Sequence, residues 1–518
     1  MTDEEAFLRA IQATPDDDTL RLVFADWLQE TGDSARAEFI RLQHRVELLP
    51  PGPERSAIED HTDELLALHE MDWLGPVGQL HSWEWRRGFV ERVSGGPRPT
   101  LEAARGLFER NPVRVVGFGT VCWWLNEMVE LPFLERIEEL CFDVGDEPQN
   151  RSILLDFLAS PRLARLRELD ISTGGDTGGV LADLATRSAI PPLSAIKLRE
   201  VTFDDADALV RASNLRGLTD VGGFDGVPGA ALARLLEVPD RWTGLDLGFG
   251  DLLADDLGGL ARCGRLRRLV FRWPRGQREP IRLPSSVEDL EVCAVRGEGP
   301  PPSALARTLA GTRLRHLQYR WEPAGGVPTP GDWNGLGELL AGLPGPVLDL
   351  TLSGFTKDPL PLFARLPGLQ NVRRLSVSMF PRSDAGADAI AECASLTGLR
   401  EFESEIGWTA EQSRRLAGAP FLSGLRKLRF QGPVLGDECA AAFLRSPGLQ
   451  RLRALEWLEA RVGAETVEAL AAWPGLVGLR CLCLHFNPLQ GAVVQPLVER
   501  LGVRFSHSLP VPSQFGGG

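Results

Sequence analysis

One apolar pattern recurs along most of the chain: an apolar residue, two others, a second apolar residue, one other, and a third apolar residue. We number these positions 1 to 6, so that apolar residues occupy positions 1, 4 and 6. Instances are found at residues 166–171, 266–271, 314–319, 425–430 and 479–484. Alternation over positions 4 to 6 is typical of a strand with one buried face. Each instance predicts a short strand whose side chains at positions 3, 5 and 7 face solvent.

Recurrence of this pattern, with spacings within or near roughly 20–29 residues, is the signature of leucine-rich repeats. The segments between the strands have helical spacing, for example at residues 153–159, 230–236 and 467–473. A strand and a helix in each repeat predict an α/β leucine-rich repeat solenoid, a horseshoe with parallel strands inside and helices outside. We assign position 1 of the repeats to Val113, Ile137, Leu166, Leu198, Leu215, Trp242, Leu266, Val287, Leu314, Val347, Val372, Leu399, Leu425, Leu455 and Leu479.

One element of the usual repeat is largely missing. An Asn or Cys is expected three residues after position 6, and Asn487 after Leu484 is the clearest instance. Without a ladder of such side chains, the backbone of the turns must find other hydrogen-bond partners, in a helix or in water.

The first residues of the chain predict a small all-α module. Thr2 and Glu5 match a capping box at the start of a helix that ends before Pro15. A second helix ends at Gly32, a third follows it, and a fourth is predicted over residues 54–69.

Two groups in this module have alternative interpretations. Three consecutive acids, Asp16 to Asp18, suit a helix cap, whereas a divalent cation is a rarer use of such a run. We expect Asp26 to form a structural ion pair with Arg36 or Arg41, and Trp27 to lie in the helical core.

Residues 15–43, PDDDTLRLVFADWLQETGDSARAEFIRLQ, resemble the bacterial repeat-companion domain. The similarity is carried by residues 15–18, 21–22, 25–28, 32–33 and 36–43, and the following WRRGFV at 85–90 resembles the usual lead into the repeats. Such modules are short, helical and found at the N-terminus of repeat proteins, including leucine-rich repeat proteins. The resemblance implies an architecture and no particular activity.

The resulting domain prediction has three parts. A helical repeat-companion domain occupies residues 1–85, about 15 irregular leucine-rich repeats occupy residues 86–508, and a disordered tail occupies residues 509–518.

Composition narrows the range of partners. The 518 residues include 71 acids and 56 bases, for a formal net charge of −15, which disfavours nucleic acid and anionic membranes as partners. The N-terminus lacks the apolar core of a secretory signal, and no apolar run is long enough to span a membrane. The 8 cysteines are scattered and predict reduced thiols. We therefore expect a cytoplasmic monomer that binds a protein of unknown identity.

The solvent-facing strand positions predict a partner-binding concave face with an acidic early part and a basic, aromatic middle. The residues proposed to bind a partner are Glu139, Asp143, Glu168, Asp170, Arg268, Arg272, Trp273, His316, Arg320 and Trp321. Arginine and tryptophan are enriched at binding hot spots, and the arginines would suit an acidic protein segment or, second, a phosphate. The alternative is ordinary solvated charge, in which Arg272 pairs with Asp246 or Glu291.

The same alternation places further residues on this face. They are Glu200, Asp204, Asp246, Arg374, Glu401, Glu403, Glu405, Lys427, Arg429, Trp457 and Arg461.

Sequence motifs typical of enzymes are mostly absent from the chain. It has no G-x-x-x-x-G-K phosphate loop, no G-x-S-x-G nucleophile elbow and no H-E-x-x-H zinc helix. Cys481, Cys483 and His485 alternate on the last predicted strand and would bind zinc only if a fourth ligand reached them; a weakly exposed thiol pair is the alternative. We expect no catalytic residue, no cofactor and no metal.

Three functions are compatible with these patterns. The first is a non-enzymatic module that binds a protein through the concave face, with the helical module as a cap on the first repeat. The second is a two-headed adaptor in which helices and repeats recruit different proteins, by analogy with F-box adaptors. The third is an unrecognised enzyme or metal protein centred on the strand of Cys481, Cys483 and His485. Burial of the helical apolar patch against residues 85–93 would favour the cap, and its exposure would favour the adaptor.

Overall fold

The computed structural model divides into two compact units, Met1–Arg272 and Trp273–Gly518. Each unit is described by itself below. The structure describes residues 2–49, 53–75, 80–95, 106–120, 124–145, 147, 149–172, 177–223, 225–248, 250, 252–293, 301–323, 327–345, 347–432, 435–489, 491–501 and 505–506. The predicted tail at 509–518 and Cys122 lie outside these residues.

The first unit begins with four helices and continues with a sheet. The helices are α1 (Asp3–Ala13), α2 (Asp18–Thr31), α3 (Ser34–Leu48) and α4 (Pro53–Leu74). The strands are β1 (Leu80–Arg86), β2 (Phe89–Gly95), β3 (Val115–Thr120), β4 (Glu139–Asp143), β5 (Glu168–Asp170), β6 (Ala195–Leu198), β7 (Asp220–Gly223), β8 (Gly244–Asp246) and β9 (Arg268–Arg272). β1 pairs antiparallel with β2, and each later strand pairs parallel with the one before it.

Short helices connect the parallel strands of the first unit. Residues 106–110 are helical, and the α-helices that follow are α5 (Leu125–Met128), α6 (Asn150–Leu158), α7 (Val180–Ala185), α8 (Phe203–Arg211), α9 (Gly229–Leu235) and α10 (Ala254–Leu257). Turns of 3-10 helix lie at Pro132–Arg136, Pro161–Leu163, Ser213–Leu215, Pro239–Arg241 and Gly258–Arg262.

The second unit repeats the strand and helix alternation. Its strands are β10 (Asp289–Cys293), β11 (His316–Trp321), β12 (Leu348–Leu352), β13 (Val372–Val377), β14 (Glu401–Ser404), β15 (Lys427–Gln431), β16 (Ala454–Leu458), β17 (Cys481–Cys483) and β18 (Phe505–Ser506), each parallel to its predecessor in this unit. The α-helices are α11 (Pro302–Leu309), α12 (Pro330–Gly342), α13 (Leu360–Phe363), α14 (Asp384–Ala391), α15 (Ala410–Leu416), α16 (Gly436–Leu444), α17 (Ala464–Ala472) and α18 (Gly491–Leu501). Turns of 3-10 helix lie at Leu369–Asn371, Pro420–Gly424, Pro447–Arg451 and Pro474–Gly478.

The core of each repeat lies between its strand and its helix. Leu166, Leu169 and Ile171 occupy positions 1, 4 and 6 of the β5 repeat, and all three are buried. The helices bury their own apolar residues, as Leu154 and Leu158 of α6 do. The fold is therefore α/β, with parallel strands and interleaved helices like those of a leucine-rich repeat solenoid.

Three of the predicted repeat starts are wrong. β6, β7 and β16 place position 1 at Leu193, Leu218 and Leu452, and not at Leu198, Leu215 and Leu455. The predicted starts lie five residues after Leu193, three residues before Leu218 and three residues after Leu452, at other apolar residues that offer a similar pattern in a shifted frame. Pairing with the neighbouring strand decides between the frames, because only one of them buries the apolar side chains.

Where the Asn side chains of the usual repeat are missing, carboxylates form hydrogen bonds with the backbone between repeats instead. Asp205 is buried and accepts hydrogen bonds from the backbone amides of Leu181 and Ala182, which begin the helix of the preceding repeat. Asp437 likewise accepts a hydrogen bond from Gly463 N. Asn487 behaves as predicted, since its side chain donates to Trp457 O at 2.7 Å and accepts from Val462 N at 3.2 Å.

The N-terminal helices pack onto the hairpin that begins the sheet. Ile11, Phe24, Leu28 and Ile40 form one buried cluster with Phe89 of β2. The predicted capping box is present, since Thr2 Oγ1 accepts a hydrogen bond from Glu5 N at 3.2 Å. The apolar side of the first three helices is thus covered by the start of the sheet.

Candidate functional site

The strands of the first unit have one face directed away from the buried core, and we call it the open face. Two rows of side chains cross it. The position-3 row contains Glu139, Glu168, Ala195, Asp220, Gly244 and Arg268, which are neighbours in register from β4 to β9. The position-5 row contains Cys141, Asp170, Lys197, Gly222, Asp246 and Val270.

Arg268 is held by two carboxylates of this face. Its guanidinium contacts Asp220 at 2.5 and 3.1 Å and lies 3.8 Å from Asp246. Desolvation by burial opposes the charge, yet the hydrogen bond and the negative charge of Asp220 raise the pKa of Arg268. This predicted binding residue is therefore engaged within the chain.

Two glycines make room for this arrangement. A Cβ atom at Gly244 would lie 2.0 Å from the Asp220 carboxylate, and one at Gly222 would lie 2.4 Å from the Cβ atom of Asp246. A side chain at either position would displace an acid that contacts Arg268.

Two further acids of the predicted site also have partners. Arg92 of β2 donates two hydrogen bonds to the Glu139 carboxylate, at 2.9 and 3.0 Å. Asp170 accepts from Ser172 Oγ at 2.6 Å and lies 3.7 Å from the ammonium group of Lys197. Both are half-buried on the open face, as predicted.

Glu168 differs from its neighbours. Its side chain is exposed, and no ion pair or side-chain hydrogen bond among the described residues involves its carboxylate. Desolvation raises the pKa of Glu168, and the negative charges of Glu139 and Asp220 raise it further. Lys197 and Arg268 partly offset this effect from a distance, but neither contacts the Glu168 carboxylate, so the face does not fully neutralise its negative charge.

A cleft of about 440 Å³ adjoins Glu168. Its walls include Arg92 and Glu139, and also Arg114 and Arg167. Arg167 donates to Pro192 O, and Arg114 pairs with buried Glu91 at 2.8 Å, so neither arginine neutralises Glu168 by a direct contact. The cleft has the size of a small binding site, and its walls carry both acids and arginines.

The predicted aromatic contacts are wrong. Trp273 and Trp321 are each 1% exposed and belong to the core. Trp321 packs edge-on against the rings of Trp333 and Phe355. Both tryptophans lie at position 8, two residues after position 6, and the continued strand alternation places them on the same buried face as positions 4 and 6.

The other predicted binding residues occupy separate places. Asp143 is half-buried at the end of β4 and accepts a hydrogen bond from Gly145 N, and Arg272 is half-buried at the end of β9. In the second unit, His316 lies 3.2 Å from Asp349, which raises the pKa of its imidazole chiefly by that hydrogen bond. Arg320 is exposed and forms no ion pair among the described residues.

The open face of the second unit is dominated by ion pairs between adjacent strands. Arg374 pairs with Glu401, Lys427 lies 2.6 Å from Glu456, and Arg429 lies 3.0 Å from Glu403. These residues were placed on this face by their alternation, or in the case of Glu456 by the corrected repeat frame. Their charges largely neutralise one another.

The shifted frames also misplaced several side chains. Asp204 lies in the first turn of α8 and not on a strand. Trp457 is fully buried at position 6 of its repeat, and Glu200 and Arg461 lie beyond the strands of theirs. The residues that the sequence analysis missed, Asp220 and Lys197, occupy positions 3 and 5 once the frame is corrected.

The cysteine pair of β17 lies on the open face of the second unit. Burial raises the pKa of Cys481 to about 11, and the nearby charges of Glu456 and Cys483 add to the effect, so this thiol stays protonated near neutral pH. Within the described part of the chain, no group of three or more His, Cys, Asp or Glu side chains is placed to hold a metal ion. Among the described helices, none is both long and apolar enough to cross a bilayer.

Comparisons with known proteins identify no family for this chain. No family model matches it, and no curated protein matches it. Matches to solved structures include a chain of the yeast Rad7 and Elc1 complex, with a TM-score of 0.36 and 15% identity over 60% of this chain and 74% of that one. A Bacteroides fragilis protein matches with a TM-score of 0.26 and 12% identity, over 59% of this chain and 70% of that one. The leucine-rich repeat ectodomain of an Arabidopsis thaliana receptor kinase matches with a TM-score of 0.20 and 12% identity, over 74% of this chain and 52% of that one.

Proposed function

We propose that this chain binds a protein partner through the open face of its first unit, in the cleft beside Glu168. The observation that carries the proposal is the unneutralised Glu168 carboxylate on a face whose other acids are paired. A lysine or arginine of the partner would pair with Glu168, just as Arg92 pairs with Glu139 and Arg268 pairs with Asp220 on the same face. Glu139, Asp143 and Asp170 flank this contact.

The polarity of the partner follows from the same ion pairs. An acidic segment docking at Arg268 would have to displace Asp220 and Asp246, which already neutralise that arginine. A basic segment at Glu168 displaces nothing. We therefore propose a basic partner segment.

The helical residues α1 to α4 act, in this proposal, as a cap on the first strands. Support comes from the cluster of Ile11, Phe24, Leu28 and Ile40, which packs against Phe89. A two-headed adaptor would need an apolar patch on these helices for its second partner, and the patch considered in the sequence is covered.

The test is capture of partners by the full-length chain from a lysate of its source organism, with bound proteins identified by mass spectrometry. The Glu168→Arg variant reverses the proposed contact. Glu338→Arg makes the same change at an exposed residue of α12 and serves as the matched control.

A partner retained by the wild type and Glu338→Arg but lost by Glu168→Arg would support the proposal. That partner, once purified, should bind the wild type more weakly as salt is raised, because the contact is ionic. Equal retention by all three proteins would contradict it.

A further inference from the structure

The N-terminal helices enclose a second and separate cleft, of about 780 Å³. It is lined by residues of α1, α2, α3 and α4, by Phe89 of β2 and by residues near 110. Its volume falls within the range of roughly 300–1,000 Å³ that is typical of small-molecule sites. The chemistry of a ligand that would fit this cleft depends on Arg36.

Arg36 is a buried cation without a counter-ion contact. The residue is 7% exposed, and no hydrogen bond or ion pair of the described residues involves its guanidinium group. Nη1 in particular is buried with no acceptor. A buried guanidinium donor without an acceptor is destabilising, and so it needs an explanation.

Aromatic rings stabilise the charge only in part. The guanidinium carbon lies 4.7 Å from the ring centre of Trp85, 4.8 Å from that of Trp73 and 5.3 Å from that of Phe89. Rings contact the faces of a guanidinium group, whereas its N–H donors point outward in its plane. Desolvation by burial still lowers the pKa of Arg36 to about 9.

The acids nearby do not meet these donors. Asp33 and Glu4 line the cleft and their charges favour the ionised guanidinium, but neither lies within 4.0 Å of it. The Asp33 carboxylate instead accepts the backbone N–H of Arg36 as a helix cap, at 3.0 Å. An external acceptor is therefore needed to complete the site.

We propose that the cleft binds a monocarboxylate with an apolar body, whose carboxylate pairs with Arg36. A carboxylate is planar and matches the in-plane donors of one guanidinium group. Leu8 and Trp73 line the cleft and are only partly buried, so they offer an apolar surface to the rest of the ligand. The other charged residues that line it are five acids (Glu4, Glu5, Asp33, Asp72 and Glu109) and three arginines (Arg9, Arg110 and Arg136), so the lining has no excess of positive charge that would favour an anion with more than one negative charge.

Calorimetric titration of the chain with four probes (4-methylvalerate, N-acetyl-leucine, 4-methylvaleramide and inorganic phosphate) tests the ligand chemistry. We expect 4-methylvalerate and N-acetyl-leucine to bind, and 4-methylvaleramide, which lacks the charge, not to bind. Tighter binding of 4-methylvalerate would identify a free acid as the ligand, and tighter binding of N-acetyl-leucine a peptide C-terminus. Absence of binding by both acids, or stronger binding of inorganic phosphate, would overturn the proposal.

Variants locate the site. Arg36→Met keeps the length of the side chain but removes the charge, and should weaken carboxylate binding about tenfold or more. Arg41→Met is the control, because Arg41 lies on the same helix, at the surface, and pairs with Asp26 at 2.7 Å. If Arg36→Met fails to fold, as judged by circular dichroism, Leu8→Glu provides a second test by placing a negative charge at the partly buried rim. Unchanged affinity in a folded Arg36→Met protein, or in Leu8→Glu, would contradict the site.

Discussion

At the scale of single residues, the open face of the first unit shows how much a neighbour determines the behaviour of a charge. Glu139 and Glu168 are adjacent in the same row, yet only Glu139 has an arginine within hydrogen-bond distance. The sequence analysis placed both side chains on this face correctly. It had no means of finding Arg92 as the partner of Glu139, because the two residues are distant in sequence and meet only through β2, β3 and β4.

The unneutralised charge of Glu168 predicts a dependence of stability on pH. Because its pKa in the folded chain is raised above the ordinary value of 4.5, ionised Glu168 lowers the free energy of unfolding at neutral pH. Glu168→Gln should therefore stabilise the chain at pH 7, by about 0.5 kcal/mol at this exposed site. The gain should fade as pH falls through the raised pKa. Urea unfolding at a series of pH values measures both effects, and a destabilised Glu168→Gln protein at pH 7 would contradict this interpretation.

In the pair of His316 with Asp349 the ionised form stabilises the fold, whereas ionised Glu168 destabilises it, and in both cases the raised pKa makes stability fall as pH rises. The ionised pair stabilises the fold fully below pH 6.5, the ordinary pKa of His, and this stabilisation is lost as pH rises through the raised pKa of the folded state. Asp349→Asn should lower the pKa of His316, as followed by an NMR titration of its imidazole protons. Glu338→Gln, on a helix, should leave that pKa unchanged. A His316 pKa that Asp349→Asn does not shift would rule out this pair as its cause.

At the scale of elements, the sequence predicted where most strands lie, but not always which residue of a repeat occupies position 1. Leu269 and Phe271 alternate within a clear pattern, and β9 appears where they predict it. In the β16 repeat, Leu452, Leu455 and Leu458 offer two frames, and the sequence alone does not choose between them. The choice comes from pairing with β15, where Leu455 lies opposite Leu428 and Trp457 opposite Phe430. Long-range register therefore decided which residues belonged to the candidate site.

The glycines of β7 and β8 predict unequal effects of the same substitution. In Gly222→Ala, the new methyl group would meet the Cβ atom of Asp246, which moves only with the backbone, so we expect a loss of about 1–3 kcal/mol. In Gly244→Ala, it would meet the end of the Asp220 side chain, which can rotate away at the expense of its contact with Arg268. Gly119→Ala in β3 is the control, because nothing lies within 4 Å of its Cβ position. In denaturant unfolding, the loss of unfolding free energy should be largest for Gly222→Ala, smaller for Gly244→Ala and smallest for Gly119→Ala. Equal losses would contradict the proposal that crowding at the new methyl group causes the difference.

At the scale of the whole molecule, each compact unit is a series of repeats in which each repeat contacts the next. The first unit has an additional connection between its N-terminal helices and its first strands. Buried Glu91 of β2 pairs with Arg21 of α2 at 2.7 Å, with Arg87 at 3.0 Å and with Arg114 at 2.8 Å. A single carboxylate thus links the helical residues to the first parallel strands. The resemblance to a repeat-companion domain predicted the helices and gave no indication of this network.

Removal of the Glu91 charge should loosen that connection. Glu91→Gln leaves three arginines around a neutral group that is 4% exposed, and we expect the free energy of unfolding to fall by about 3 kcal/mol. Glu47→Gln removes a carboxylate that pairs with Arg86 at the surface, at 3.0 Å, and should lower it by less than about 1 kcal/mol. Calorimetry or urea unfolding compares the two variants, and similar losses would show that the buried network adds nothing to stability.

The direction of β1 has a consequence for the history of the chain. A repeat array lengthens by gene duplication, and every added copy contributes a strand parallel to its neighbour. β1 is antiparallel to β2, so it does not continue the parallel order of the repeats. The indole of Trp85 in β1 also donates a hydrogen bond to Glu70 of α4, which holds this edge strand to the helices. New repeats could therefore be inserted after β2 but not before β1. The β1 edge of the first unit is in that sense closed to extension by a further parallel strand.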